Sequence, residues 1–543
     1  MADTVRMGVK DRERDSDKRF PSGRKRWRIK RDSSAVRKRW RIKRGASAVG
    51  KRWRRKRGSS AVLLTCILLS MILAVGIIGE ASSRRASKAV AECALETAGR
   101  AVLAGYDRTL KERYGLFAFE RDEDALRSIL KELSEESLTS FPLTECTIQE
   151  ISAEKAAYCL GDPDIMEEQI EEVMKYRIIA DKVEDVLTRF QSAGDAVDLL
   201  GDEEKKKEAL EAAKEEQRRL SSSPSDGGGG DSSGQGDALD FEKADRVHGN
   251  LKAFKEDAED RISEEEDGNG SLEDTVLRNE NISDALPSIL AGCKENTAFS
   301  GVVSALKKFP ELIDFDRIKS EIYTDEYIKA FFSAYTDEKS EERFFRNEIE
   351  YILYGSNSDR ENFGKAKRTV YVMRTALNMA YIYGSPDMLR RTLTAAESLT
   401  PGPFAPLTQL LIIAAWSALE AYNDVVNLEE GNRIPLIKSA STWKTDLSAV
   451  AGGEFNGRMI PNDSDLGMDY KSYLMILLLT EDRETKLLRI MDLIQINLKG
   501  SERKDFVFGN LFCGFVLEAE IEKKSIYGGV GSGTTAVRMT HTY

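Results

Sequence analysis

The sequence predicts an α+β protein that is mainly α-helical. Three observations lead to this class: an uncharged apolar run over residues 61–79, helical periodicity of apolar residues through most of the later chain, and a change to aromatic and β-branched residues near the C-terminus. We therefore expect one N-terminal transmembrane helix that continues into a long ectodomain helix, followed by a helical ectodomain with a small C-terminal β-hairpin or sheet.

These composition changes divide the chain into six segments. They are a basic, disordered cytoplasmic leader (1–58), a transmembrane helix (59–80), a membrane-proximal helical or α+β segment (81–195), a charged and Gly/Ser-rich linker or insertion (196–290), a helical ectodomain (291–500) and a C-terminal β element (501–543).

The apolar run is long enough to cross a bilayer, because a spanning helix needs roughly 20 apolar residues. The 58 residues before it carry 24 Lys and Arg against 6 Asp and Glu, a net charge of +18, whereas the remaining chain carries −29. The positive-inside rule then places the N-terminus in the cytoplasm and the C-terminal domain outside the cell membrane, as a single-pass protein. The run exceeds the h-region of a signal peptide, and the sequence Gly79-Glu80-Ala81 makes a poor cleavage site, so an uncleaved anchor is expected.

The leader contains three copies of a basic repeat, each with one tryptophan, spaced thirteen residues apart. Cationic side chains attract anionic lipid headgroups, and tryptophan favours the headgroup zone. We expect the repeats to bind the membrane surface; the alternatives are nucleic-acid binding, which the adjacent bilayer disfavours, and a simple topology signal. The residues expected to bind are Arg24, Trp27, Arg37, Trp40, Arg52 and Trp53.

After the apolar run, small and apolar residues recur at spacings of three and four from Ala91 to Tyr114, which predicts one face of a helix. No proline or cap separates this face from the apolar run, so a single helix is expected to extend to near Gly115. The face is either packed in the core or forms a homo-oligomer contact through its small residues.

Further helices are expected where amphipathic segments alternate with polar connections. They cover residues 122–136, 164–190, 327–335, 341–354, 362–383, 386–399, 406–428, 470–479 and 484–497. The apolar stretch 410–419 is too short to span a membrane and predicts a buried core helix. A strand is expected over residues 146–158, and the segment from about 195 to 290 is expected to pack poorly.

The C-terminal residues 505–524 and the last ten residues flank a glycine-rich stretch, a pattern that predicts a β-hairpin. These glycines are not a phosphate-binding loop, since lysine and a following helix are missing.

Catalytic and metal-binding motifs are missing from the sequence. Two histidines argue against imidazole metal sites and Ser-His catalysis, and the six cysteines are irregularly spaced, so we expect no cofactor; one bridge between Cys146 and Cys159 stays open, as does a Ca²⁺ or Mg²⁺ site with oxygen ligands. Polar residues on apolar helices are expected to form a buried ion network, with general acid–base catalysis by paired carboxylates as the alternative. The residues are Glu350, Arg374, Asn378, Glu420, Asp424 and Asp492.

Several segments carry a resemblance to a known family. They are the GSSAV sequence that leads into the apolar run, residues 92–119, and residues 174–177, 348–355, 374–383, 414–431, 434–438 and 491–499. Together they resemble an uncharacterised family of single-span bacterial membrane proteins, known only as a domain of unknown function, whose N-terminus is similar to Tad-type pilus pseudopilins. Gly58 is placed as the residue before a prepilin processing site, although Leu63 stands where prepilins usually carry Glu.

The resemblance brings no established activity, and we expect a non-catalytic structural or assembly component of a cell-envelope apparatus, with the bilayer and envelope or pilus proteins as partners. Two alternatives stay open at this point. One is an extracytoplasmic hydrolase that uses the paired carboxylates, and the other is a membrane-tethered sensor or scaffold with a basic cytoplasmic tail.

Overall fold

The computed structural model describes most of the chain beyond the leader. The described residues are 59–139, 146–177, 206–208, 210–212, 214–215, 241–264, 275–277, 315–453, 455, 457–501, 503–523 and 533–543. The leader lies outside them, and so do its six predicted membrane-binding residues and Gly58.

The protein is mainly helical with a small antiparallel sheet, as expected from the sequence. The helices are α1 Ser59–Leu103, α2 Arg108–Tyr114, α3 Glu123–Thr139, α4 Pro163–Met174, α5 Phe241–Glu264, α6 Phe315–Phe331, α7 Glu348–Tyr354, α8 Asp359–Gly384, α9 Pro386–Leu399, α10 Ala405–Glu429, α11 Leu447–Ala451, α12 Tyr470–Leu478 and α13 Arg483–Ser501. The strands are β1 Phe119–Glu120, β2 Cys146–Glu154, β3 Leu511–Phe512, β4 Gly514–Lys523 and β5 Gly533–Thr542.

Side-chain caps fix where several of these helices begin. The side chain of Ser385 accepts a hydrogen bond from the backbone N–H of Met388, and Pro386 follows in the first turn of α9. Ser358 and Asp469 cap α8 and α12 in the same way. These local signals explain why the predicted bounds of α9 match the structure.

The long helix α1 is present, but it ends earlier than expected. It stops at Leu103, and the turn through Gly105 leads to Asp107, whose side chain accepts a hydrogen bond from the backbone N–H of Leu110 and caps α2. The prediction of one helix to Gly115 was therefore wrong, because a new capping residue interrupts the apolar periodicity.

The C-terminal hairpin is present and gains a third strand. Strand β4 pairs antiparallel with β5 on one side and with β2 on the other, giving the order β2-β4-β5. Two short strands, β1 and β3, form a separate antiparallel pair. The sheet therefore joins segments that lie more than 350 residues apart in the sequence.

Among the described residues, the core consists of two hydrophobic clusters. The larger cluster lies among α2 and the helices from α4 onwards and includes Trp416, which is fully buried on α10. The smaller cluster packs Ala91, Leu95 and Ala98 of α1 with α3 and the inner face of the sheet. The small-residue face of α1 thus packs within this chain at these three residues, and the homo-oligomer contact considered above stays a prediction.

The contact of α1 with the sheet is close. A Cβ atom built on Gly99 would collide with the ring of His541 on β5, so a larger residue there would force that buried ring to move. The His541 ring is buried against Phe515, and burial lowers the pKa of its imidazole. His541 is therefore a packed core residue.

The predicted linker contains a packed helix. On α5, the residues Ala244, Leu251, Phe254 and Ala258 are buried, and this helix contacts α10 and α8. The expectation of poor packing was wrong for this part, because the buried residues recur at helical spacing within a charged sequence.

Within the part of the chain that the structure describes, two helices are long and apolar enough to cross a membrane. The first, Ser60–Leu103, contains the apolar run, and none of its most apolar window is buried. The second, Gly402–Glu429, has 67% of its window buried inside the protein. That burial fits the core helix expected from residues 410–419.

Candidate functional site

The structure brings together four of the six polar residues singled out from the sequence. Arg374 and Asn378 lie one turn apart on α8, and Glu420 and Asp424 lie one turn apart on the facing helix α10. All four are 0% exposed. The spacing of four residues within each helix is what aligns the two pairs.

Arg374 uses its guanidinium to join the two helices. Its Nε and Nη2 atoms donate to Oδ2 of Asp424 at 3.1 and 2.9 Å, and Nη2 also donates to Oδ1 of Asn378 at 3.0 Å. Burial alone would lower the pKa of this guanidinium, but Tyr473 and Asp424 together outweigh burial and raise that pKa. Arg374 therefore stays charged inside the protein.

Lys438 completes the set of charges, although sequence reasoning missed it. Its Nζ atom donates to Oε1 of Glu420 and Oδ1 of Asp424, both at 2.6 Å, and to the carbonyl oxygen of Thr442 at 3.0 Å. Three donors meet three acceptors. A lysine that ends the apolar sequence IPLIK was the only available signal.

The network holds an irregular segment against the helices. Arg374 Nη1 donates to the carbonyl oxygens of Pro435 and Leu436, and Glu420 accepts hydrogen bonds from the backbone N–H groups of Lys444 and Thr445. Two cations and two carboxylates thus balance in charge and fix the chain between α10 and α11. We call Arg374, Asn378, Glu420, Asp424 and Lys438 the buried network.

This geometry gives little support to general acid–base catalysis by Glu420 and Asp424. Each of the four carboxylate oxygens of Glu420 and Asp424 already accepts a hydrogen bond from a cation or a backbone N–H group. A general acid or base needs an accessible carboxyl whose pKa lies near the working pH. The arrangement instead satisfies the rule that buried charges are paired.

Glu350 and Asp492 lie outside the buried network, which corrects their grouping with it. Oε1 of Glu350 on α7 accepts a hydrogen bond from the backbone N–H of Tyr335 at 3.0 Å. Oδ2 of Asp492 on α13 accepts one from the Tyr351 hydroxyl at 2.9 Å. Both acids are fully buried. Glu350 faces the segment that follows α6, whereas Asp492 faces α7, and sequence spacing cannot show which elements meet.

Glu350 should make the stability of the fold depend on pH. Burial raises the pKa of its carboxyl from 4.5 to about 8, so the folded protein holds a proton that the unfolded chain releases. Its stabilising contribution is complete below pH 4.5 and is lost as the pH rises to about 8, at about 1.4 kcal/mol per pH unit. We expect Glu350→Gln to remove this slope. Urea unfolding of both proteins at pH 6 and pH 8 measures the difference, and an identical pH dependence would contradict the prediction.

The described residues contain no group of three or more His, Cys, Asp or Glu side chains arranged to hold a metal ion. Cys146 and Cys159 do not form the bridge left open above. Cys146 lies opposite Lys523 at the end of β4, whereas Cys159 lies opposite Phe512 of β3, eleven residues earlier in the sequence.

These features define a class: a helical domain with a small antiparallel sheet, a neutral buried ion network and an exposed apolar helix at its N-terminal side. Residues 274–523 match a family described as a family of unknown function (DUF5702). The matched part contains the buried network and β4, whereas α1, β2, α5 and β5 lie outside it. No curated protein and no solved structure matches the chain.

Proposed function

We propose that this chain is a membrane-anchored extracytoplasmic protein with a non-catalytic structural or assembly role in a cell-envelope apparatus of the Tad-pilus type. The observation that carries the anchor is the exposure of the first part of α1. Its large apolar residues between Val62 and Ile78 are each 51–69% exposed. An apolar surface of this size needs a partner that removes it from water.

A bilayer is the partner that fits the dimensions of this surface. Residues 61–79 in a helix extend roughly 28 Å at about 1.5 Å per residue, close to the roughly 30 Å hydrocarbon core. The leader's charge of +18 favours a cytoplasmic N-terminus and an external C-terminal domain.

The non-catalytic role rests on the buried network. Its carboxylates are paired and buried, so they support folding better than they support hydrolysis. The assembly role rests on α1, whose first part is apolar and exposed while Ala91, Leu95 and Ala98 pack in the smaller cluster. A helix that is both the membrane anchor and a part of the folded C-terminal domain suits a subunit of an envelope assembly.

Two experiments test the proposal in the bacterium that encodes the chain. Protease added to spheroplasts should digest the C-terminal domain and leave the leader protected, and deletion of residues 61–79 should move the protein to the soluble fraction. A C-terminal domain that resists protease in intact spheroplasts and is digested only after lysis would overturn the proposed orientation.

The assembly role is tested separately. A strain that lacks the gene should lose its surface filaments in electron micrographs, and the full chain should restore them while the chain without residues 61–79 should not. Normal filaments in the deletion strain would refute the assembly role and leave the anchor standing.

A further inference from the structure

Strand β5 lies at one edge of the three-stranded sheet within the described ranges. β5 pairs with β4 along all ten of its residues, from Gly533 opposite Lys523 to Thr542 opposite Gly514. Among the same residues, no strand pairs with the other edge of β5. Thr534, Thr535 and Ala536 are exposed in succession, so both faces of β5 meet solvent at this end.

This edge lacks the features that usually protect an edge strand. Natural edges carry proline, a bulge or several charges, and β5 has an unbroken register and a single formal charge, at Arg538. The opposite edge of the sheet is different. Strand β2 has a register shift between Ile148 and Glu150, and α3 packs against it.

The charge on β5 itself limits what an entering strand can place opposite it. Arg538 is the one formally charged residue of β5, and its Nε atom lies 3.2 Å from Oε1 of Glu518 on β4. Like charges directly opposite each other across strands are destabilising, so the residue opposite Arg538 in an added strand should be uncharged or acidic. A second β5 can meet this requirement, because apart from Arg538 it has no Lys, Asp or Glu.

We propose that β5 is a homodimer interface, in which β5 of one copy pairs antiparallel with β5 of a second copy about a two-fold axis at Val537. Side chains opposite each other must lie on the same face of the joined sheet, so even-numbered residues pair with even-numbered residues. With the axis at Val537, Ala536 lies opposite Arg538 of the second copy, and Thr534 lies opposite Thr540 of the second copy. An axis at Arg538 would place two guanidinium groups together. The axis at Val537 avoids that repulsion and keeps nearly the full length of the strand paired.

Charge substitutions at Ala536 test this register. Because Ala536 is exposed and would face Arg538 of the second copy twice in the dimer, Ala536→Glu should tighten dimerisation and Ala536→Lys should weaken it, each by about 2- to 30-fold. Sedimentation of the full chain in detergent micelles measures the dissociation constant. Thr540→Glu and Thr540→Lys are the controls and should differ little from each other, since Thr540 faces an uncharged threonine.

Cysteine cross-linking tests the same register without relying on charge. With Cys66 and Cys93 replaced by serine, neither Thr534→Cys nor Thr540→Cys alone should form a covalent dimer on mild oxidation. A mixture of the two variants should form one, and a mixture of Thr534→Cys with Ala536→Cys should not. A monomeric full chain at all concentrations, equal effects of the two Ala536 substitutions, or cross-linking of either variant alone would overturn the proposal.

Discussion

Replacing Asp424 with alanine should lower the free energy of unfolding by about 3–5 kcal/mol, because it leaves buried cations without their carboxylate partner. Asp424 accepts hydrogen bonds from Arg374, Asn378 and Lys438, and all of these side chains lie inside the protein. Without Asp424, two cations would face one remaining carboxylate, that of Glu420. Urea unfolding followed by circular dichroism measures the loss.

Two matched variants sharpen this test. Arg390→Ala removes an exposed ion pair with Asp387 and should cost less than about 1 kcal/mol. The double variant Glu420→Gln/Lys438→Met removes one charge of each sign, so it should cost less than Asp424→Ala although it changes two residues. A stable Asp424→Ala protein that has lost its biological role would instead point to chemistry at this site and would contradict the structural assignment.

A fragment of residues 274–523, the part that matches the family, should fail to form a stable monomer. In the whole chain β4 is the central strand of the sheet, and its two neighbours β2 and β5 lie outside the fragment. The fragment would leave both edges of β4 unpaired and expose the inner face that carries Phe515, Leu517 and Ile521.

The matched control is a chain of residues 81–543, which keeps the sheet, α3 and the Ala91–Ala98 contact while it omits the apolar run. We expect this longer fragment to elute as a discrete species with a cooperative thermal transition and the shorter one to aggregate. A soluble 274–523 monomer with a cooperative transition would show that the flanking segments are dispensable for folding.

Local signals in the sequence were sufficient to predict where several of the helices begin. Ser385 followed by Pro386 marks the start of α9, and Asp469 marks that of α12. One local signal was overlooked, since Asp107 caps α2 directly after the break at Gly105. Longer-range features were not accessible in the same way, because the burial of α5 depends on a surface of α10 that lies about 150 residues further along the chain.

In the buried network, too, local spacing predicted some residues and missed others. Spacing of four residues identified both of its helical pairs, since side chains one turn apart share a face. Lys438 was missed because it lies in an irregular segment without periodicity. Glu350 and Asp492 were grouped wrongly because a polar residue on an apolar helix shows that it is buried, but does not show which helix it faces.

The order of strands in the sheet sets a constraint on biosynthesis. β2 ends at Glu154, and β4 begins at Gly514, about 360 residues later. At roughly 5–20 residues per second, a ribosome needs about 20–70 s to reach β4 after it has completed β2. During that time β2 has no strand partner, and the smaller hydrophobic cluster cannot close. Under the proposed function, the N-terminal helix would enter the bilayer well before the C-terminal domain is able to fold, so anchoring would precede folding in the life of each molecule.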